Sequence, residues 1–150
     1  MTKSVAEFLK QMHGWSFPVD LNIICGKMGI SIERSIIPGY LKGYYNSGKK
    51  SIIVNSSLDR HAERLIIAME IRQAQTKEVA GFAEKEKFAY ELLTPEAEFI
   101  EVWNNSTPAQ VTECARYFDV NTSMIIKRAK GLHKKKLIPL RLFRNFSDFL

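Results

Sequence analysis

The sequence predicts an α+β fold in which N-terminal helices and a small antiparallel sheet precede a helical C-terminal region. Apolar residues recur at helical spacing near the N-terminus and again from Ser57 onward, and alternating patterns with turn signals lie between these regions. The 150 residues are 45% hydrophobic and 25% charged, which is typical of one globular domain with at most a small appendage. A domain of this size needs neither a metal nor a disulfide merely to fold.

Two short helices are predicted first. Residues 5, 8, 9 and 12 are apolar, which indicates an amphipathic helix over residues 5–12. Pro18 is expected to open a second helix and Gly29 to end it, because proline is favoured in the first turn and glycine just past the last. The residues predicted to face inward from this second helix are Leu21, Ile23, Ile24 and Met28.

Three strands are predicted next, over residues 30–34, 40–45 and 51–55. The first alternates apolar and polar residues, as a half-buried strand does. Pro38-Gly39 is a turn signal, and residues 46–49 form a plausible hairpin loop between the second and third strands. The expected result is a small antiparallel sheet behind the N-terminal helix.

The period becomes helical again from Ser57, which is a reasonable N-cap. A looser connection over residues 75–83 leads to a helix over residues 84–93, which Thr94-Pro95 stops, and a further short helix is predicted around residues 99–103. The helix that begins after Ser57 is predicted to present one face made of Leu58, Ala62, Leu65, Ile66, Met69 and Gln73.

Two helices joined by a tight turn complete the helical region. Thr107-Pro108 is predicted to start the first, residues 119–121 form the turn, and Thr122 is expected to cap the second. This arrangement is typical of a helix-turn-helix unit, a shape found in proteins that bind DNA and in many that do not. The predicted organisation is a sheet-containing region over residues 1–95, a helix-turn-helix-like region over 96–136 and an apolar, basic tail over 137–150.

The positive charge is concentrated at the C-terminal end. Residues 127–150 contain eight Lys or Arg and one acid, a charge of +7, whereas residues 1–126 contain 14 bases and 15 acids, a charge of −1. Such a region attracts nucleic acid or an acidic partner, or it is simply a solvated helix end. The candidate binding residues are Lys127, Arg128, Lys130, Lys134, Lys135, Lys136, Arg141 and Arg144.

The tail is too apolar to be left in water. Its side chains at Leu142, Phe143, Phe146 and Phe149 have helical spacing. We expect them either to pack back onto the domain or to dock against a partner or a second copy of the chain. Docking against a second copy would make the protein a homo-oligomer.

The two cysteines, Cys25 and Cys114, lie 89 residues apart and form no C-x-x-C pair. This spacing argues against a zinc ribbon or a disulfide scaffold and favours a reducing compartment. No apolar stretch is long enough for a signal peptide or a transmembrane helix. We therefore expect a cytoplasmic protein that does not act at a membrane.

Several short segments occur in an order and spacing that resembles the ImmA/IrrE family of zinc metallopeptidases. The resemblance implies a zincin-like fold followed by a helical part. It also implies a role in phages, integrative elements or bacteria, where family members cleave or otherwise relieve helix-turn-helix repressors. The matching segments are PVDL at 18–21, MGI at 28–30, IIP at 36–38, GYY at 43–45, IIVN at 52–55, RLIIAMEI at 64–71, FA at 88–89, ELLTP at 91–95 and CARYFDV at 114–120, with Arg128.

The family's chemistry depends on a His-Glu-x-x-His motif, in which two histidines one helical turn apart bind zinc and the glutamate activates the metal-bound water. The matching stretch here has Glu70 in the glutamate position but Met69 and Gln73 in place of both histidines. The resemblance places an acidic third ligand at Glu84 or Glu86, although Lys85-Glu86 replaces the usual Ala-Asn. A thioether and a neutral amide are poor zinc ligands. We therefore expect a vestigial motif at Met69, Glu70, Gln73 and Glu84, with no bound metal and no cofactor.

None of the three histidines is expected to restore the site. His61 lies eight residues before Met69, about 12 Å along a helix. His13 and His133 belong to other regions, so all three are interpreted as structural. Glu70 is expected to be satisfied by Arg72 or by a neighbouring helix, and Met69 to fill the core.

These observations predict a catalytically inactive pseudo-metallopeptidase that acts by protein–protein binding. The partner expected from the resemblance is a helix-turn-helix repressor in a phage or mobile element. One alternative is a nucleic-acid-binding regulator that uses the basic C-terminal region. A second alternative is an active metallopeptidase with an unorthodox site.

Overall fold

The computed structural model describes residues 4–106 and 109–138. The chain divides into two compact units, one up to Leu93 (unit 1) and one from Thr94 (unit 2). The α+β prediction is confirmed, and none of the described helices is long and apolar enough to cross a membrane. In chain order the elements are α1 (Val5–Met12), α2 (Leu21–Met28), β1 (Ser31–Ser35), β2 (Gly43–Asn46), β3 (Ser51–Asn55), α3 (Arg60–Ala74), α4 (Phe82–Leu93), α5 (Glu96–Asn105), α6 (Gln110–Phe118) and α7 (Thr122–Lys134).

The second helix begins later than predicted. Its N-cap is Asp20, whose side chain accepts a hydrogen bond from Asn22 N, so Pro18 lies outside the helix. Gly29 ends α2 in the left-handed conformation, as expected. The inward position predicted for Ile23 is wrong, because this residue is 44% exposed and Cys25 is buried on the helix face instead.

The sheet is mixed, and the prediction of an antiparallel sheet is therefore wrong in part. The strand order is β1-β3-β2, with β2 antiparallel and β1 parallel to the central strand. The chain reverses twice between β1 and β3, at residues 36–42 and at the hairpin loop, so these two strands run in the same direction. All five residues of β3 are buried, and this strand forms the centre of the unit 1 core.

The helix α3 begins at Arg60, and its N-cap is Asp59 rather than the predicted Ser57. The amide of Asn55, at the end of β3, engages Ser57 instead: Asn55 Oδ1 accepts from Ser57 N at 3.0 Å and from its hydroxyl at 2.9 Å. The same amide donates to Ile37 O and Leu41 O, both at 3.2 Å. Asn55 therefore bonds both the loop that follows β1 and the segment that leads into α3.

Unit 2 is built around stacked aromatic rings. The ring centroid of Phe99 lies 5.8 Å from that of Trp103 and 6.0 Å from that of Phe118. The helix α6 begins at Gln110 after Ala109, and the predicted start at Thr107-Pro108 lies outside the described residues.

The turn between α6 and α7 lies where it was predicted, but its capping residues differ. Asp119 adopts a left-handed conformation with φ of 56°, and the N-cap of α7 is Asn121 rather than Thr122. The Asn121 side chain accepts a hydrogen bond from Met124 N at 2.9 Å. An asparagine side chain caps a helix by reaching the backbone N–H three residues ahead, as it does here.

Both cysteines are buried. Burial raises the pKa of the Cys25 thiol to about 11, and burial with the nearby Glu113 charge raises that of Cys114 to about 12. Both side chains are therefore protonated at neutral pH, and they behave as small apolar core residues.

The glycine at position 43 allows α3 to approach β2 closely. A Cβ atom at this position would lie 2.7 Å from Ile53 O and 2.7 Å from Ile66 Cγ2, closer than real Cβ atoms come to other atoms. Neither neighbour yields easily, because one is the backbone of β3 and the other is a branched side chain of α3.

We predict that Gly43→Ala lowers the free energy of unfolding by about 1–3 kcal/mol, the usual cost of overpacking a core. The matched control is Gly26→Ala inside α2, where the new Cβ meets nothing within 4 Å. That change should raise stability by about 0.5–1 kcal/mol, because alanine favours helix. Urea unfolding of the two variants measures both effects. Equal stabilities would contradict the close packing described for Gly43.

Candidate functional site

A cleft of about 720 Å³ opens where β2, the C-terminal half of α3, residues 75–81 and the start of α4 meet in unit 1. Tyr44 and Val79 contribute apolar surface to the lining, and Glu70, Gln73 and Lys85 supply polar groups. Two of the positions singled out by the sequence motif, 70 and 73, therefore line one cleft.

The carboxylate of Glu70 is buried and fully engaged. Glu70 Oε1 accepts a hydrogen bond from Tyr45 N at 3.1 Å, and Oε2 lies 2.8 Å from the Lys85 ammonium nitrogen. The expectation of a partner from a neighbouring helix is met by Lys85 of α4, whereas Arg72 pairs elsewhere. Glu70 therefore connects β2, α3 and α4.

The Tyr45 N–H belongs to the open edge of the sheet. Asn55 N donates to Lys42 O at 2.8 Å, so alternate residues of β2 direct their backbone groups toward β3, and Gly43 and Tyr45 direct theirs away from it. An unpaired edge N–H is a site at which another strand adds. Glu70 occupies that site from within the chain.

The side chain of Gln73 holds the loop over residues 75–81, which lines part of the cleft. Gln73 Nε2 donates to Glu78 O at 2.8 Å, and Gln73 Oε1 accepts from Ala80 N at 2.9 Å. The amide thus bonds to two backbone groups of residues 75–81. A histidine in this position would have to give up that role to bind a metal.

The remaining motif positions are also engaged. Met69 is 3% exposed and belongs to the core, as expected. Glu84 Oε2 lies 2.9 Å from Arg72 Nε, and the other alternative, Glu86, contributes after burial to the raised pKa of Tyr90. Neither acid lines the cleft with Glu70 and Gln73.

The residues at the motif positions do not fit a zinc ion. Zinc needs imidazole, thiolate or carboxylate ligands arranged as a tetrahedron. Here the candidate donors are a buried thioether, an amide bonded to a loop and a carboxylate paired with Arg72. Within residues 4–106 and 109–138, no group of three or more His, Cys, Asp or Glu is placed to hold a metal ion.

The histidines lie outside the cleft. His13 follows α1, and its Nε2 accepts from Asp20 N at 2.9 Å while its Nδ1 lies 2.9 Å from Gly14 O. His61 is in the first turn of α3, and His133 near the end of α7 lies 3.2 Å from Ile138 O.

The basic candidate residues fall into three groups. Arg128 is half-buried, and its Nε and Nη2 donate to Thr94 O at 3.1 and 3.0 Å, so it has a structural role within unit 2. Arg141 and Arg144, like the tail residues Leu142, Phe143, Phe146 and Phe149, lie outside the described residues. The exposed side chains are those of Lys127, Lys130, Lys134, Lys135 and Lys136.

The model of the family described as the IrrE N-terminal-like domain, Peptidase_M78, matches residues 25–130. The chain belongs to this family. Among solved structures, a Mycobacterium tuberculosis transcriptional regulator aligns with a TM-score of 0.59 and 17% identity over 72% of this chain and 39% of that chain. The likeness shows the fold, and the IrrE-like chain covers less than half of the regulator's length. Comparison with curated proteins gave no match.

Sequence reasoning found Glu70 and Gln73 in this IrrE-like domain but missed Lys85 and the loop bonded by Gln73. The available signal for Lys85 was the acid at position 70 within the apolar run 65–71, since a buried carboxylate requires a cation or several donors. No comparable signal exists for Gln73, because its partners are backbone groups of an irregular loop.

We predict that Gln73→Ala loosens residues 75–81. The variant loses two hydrogen bonds to the backbone, worth about 1–3 kcal/mol together. Hydrogen exchange should become faster at the Ala80 amide than in the native protein, with little change in β3. The control is Gln75→Ala, which removes only a side-chain bond to Arg72. Unchanged exchange at Ala80 would show that Gln73 does not hold the loop.

Proposed function

We propose that this IrrE-like protein is a metal-independent binding protein of the cytoplasm that regulates a transcriptional repressor, in a phage or mobile element, by contact rather than by cleavage. The observation that carries the proposal is the engagement of the three polar motif residues in internal bonds: Glu70 with Lys85 and Tyr45, Gln73 with the loop, and Glu84 with Arg72.

Peptide hydrolysis of the zincin type needs a glutamate that accepts a proton from a metal-activated water. In this cleft both oxygens of Glu70 already accept hydrogen bonds, one from an ammonium group. The neighbouring helical positions supply a thioether and an amide in place of imidazole. These features support binding as the function of the cleft.

The surface around the cleft supports the contact of a protein partner. Two residues that line the cleft are exposed and apolar: Val79, on the loop that Gln73 holds, is 94% exposed, and Tyr44, on β2, is 41% exposed. Phe82, 68% exposed, follows this loop at the start of α4. Apolar side chains grouped at the rim of a cleft mark interaction sites. A repressor is favoured as the partner because of the family to which the chain belongs.

We predict that the purified chain forms a complex with a helix-turn-helix repressor from the same host element, that chelator treatment leaves affinity unchanged, and that the repressor stays intact. Val79→Asp should weaken binding by at least about tenfold, because it places a charge in an apolar contact. The control is Ile36→Asp, which alters another highly exposed apolar residue, on the loop after β1. Fluorescence anisotropy measures affinity, and gel electrophoresis measures cleavage. Chelator-sensitive cleavage would contradict the proposal.

A second candidate function, binding of nucleic acid, is favoured by the exposed face of α7. Ser123, Lys127, Lys130 and Lys134 are exposed at spacings of four, three and four residues, which places them along one side of the helix. The opposite side is buried through Met124, Ile125, Ala129 and Leu132. The helix contains no Asp or Glu, so its exposed side presents only positive or neutral groups to a phosphate backbone.

If α7 contacts phosphates, replacing Lys127, Lys130 and Lys134 by alanine should weaken binding to duplex DNA. The slope of log affinity against log salt concentration should become less steep by about 2–3, close to one per lysine. A gel-shift titration at several salt concentrations gives this slope. The control replaces Lys27, Lys42 and Lys49, exposed lysines of unit 1, with the same change in charge. Equal slopes in the two variants would reject a specific role for α7.

A further inference from the structure

Lys85 is the cation nearest to Glu70 in the candidate cleft. Its ammonium nitrogen lies 2.8 Å from Glu70 Oε2, and the side chains of Lys85 and Glu70 are 19% and 6% exposed. A carboxylate buried to this extent needs a cation or hydrogen-bond donors, and Lys85 supplies the cation. Tyr45 N supplies the further donor.

The ammonium group lies beside the carboxylate that the family's motif places next to its metal. Positions 69 and 73 of α3 are one turn apart and flank Glu70, which is the spacing at which two imidazoles share a zinc ion. Gln73, Glu70 and Lys85 line the same cleft. A divalent cation held from positions 69 and 73 would therefore lie close to the Lys85 ammonium group, and the two would repel each other in a poorly solvated site.

We infer that Lys85 takes the place of the metal in this cleft: it neutralises Glu70 and bars a divalent cation, independently of the missing imidazoles. This inference rests on the proposed metal-independent function and deepens it. It attributes the exclusion of a metal ion from the cleft to Lys85, a residue outside the His-Glu-x-x-His positions.

The test restores the two imidazoles with and without the lysine. The variant M69H/Q73H keeps Lys85, the variant M69H/Q73H/K85A removes it, and K85A alone is the control. Each full-length protein is titrated with Zn²⁺ in competition with a chromophoric chelator, and Co²⁺ absorption reports tetrahedral coordination. We expect the triple variant to bind Zn²⁺ at least about tenfold more tightly than the double variant, and K85A alone to gain no zinc affinity.

Equal zinc affinities of the double and triple variants would overturn the inference, because the ammonium group would then move aside without cost. Failure of both folded variants to bind Zn²⁺ would also overturn it, because removal of Lys85 would not open the cleft. Neither result bears on the proposed function, which is tested by repressor binding to the native chain.

A second measurement applies even if the histidine variants do not fold. Thermal unfolding of Glu70→Gln, Lys85→Met and the double variant forms a double-mutant cycle in the native background. We expect Lys85→Met to lower Tm more than the double variant does, because the single change leaves a buried carboxylate without its cation. Additive effects of the two changes would overturn the inference.

Discussion

The buried carboxylate of Glu70 is the constraint on which the arrangement of unit 1 around the cleft depends. It belongs to α3, yet one oxygen is bonded to the backbone of β2 and the other to the ammonium group of Lys85 on α4. Both elements are therefore fixed to α3 at a single point. The glycine at position 43 makes this possible, because α3 approaches β2 closely only where no Cβ intervenes.

The sequence allowed α3 and the strands to be predicted, because local periodicity and residue type indicate them, and the resemblance to the family located the altered motif. It did not allow the Glu70–Lys85 pair to be predicted. These residues are 15 positions apart on two helices, and their contact depends on how α4 packs against α3. An acid in an apolar run indicates a buried carboxylate that needs a cation or hydrogen-bond donors. The spacing of apolar residues does not show which of the 22 Lys and Arg residues is that cation.

Two errors in the fold prediction involve the hydrogen bonds of one side-chain amide, that of Asn55. Ser57 has the residue type of an N-cap, but the amide of Asn55 engages its backbone N–H and its hydroxyl, so Asp59 caps α3. The direction of β1 depends on the chain reversal at residues 36–42. Two carbonyl groups of this segment, those of Ile37 and Leu41, accept hydrogen bonds from the Asn55 amide. In both cases the same asparagine amide bonds the segment concerned, and its partners lie up to 18 residues away.

The bond to Tyr45 gives the acid at position 70 a structural role that does not involve a metal. A buried ion pair contributes little net stability compared with well-packed apolar side chains, so stability alone does not account for Glu70 and Lys85. An apolar residue at position 70 would leave the outward N–H of Tyr45 without its acceptor at the edge of the sheet. The carboxylate accepts the hydrogen bond of that N–H, and the ammonium group offsets the desolvation cost of the buried carboxylate. The pair therefore satisfies one outward N–H at the edge of β2, a structural role that involves neither zinc nor a substrate.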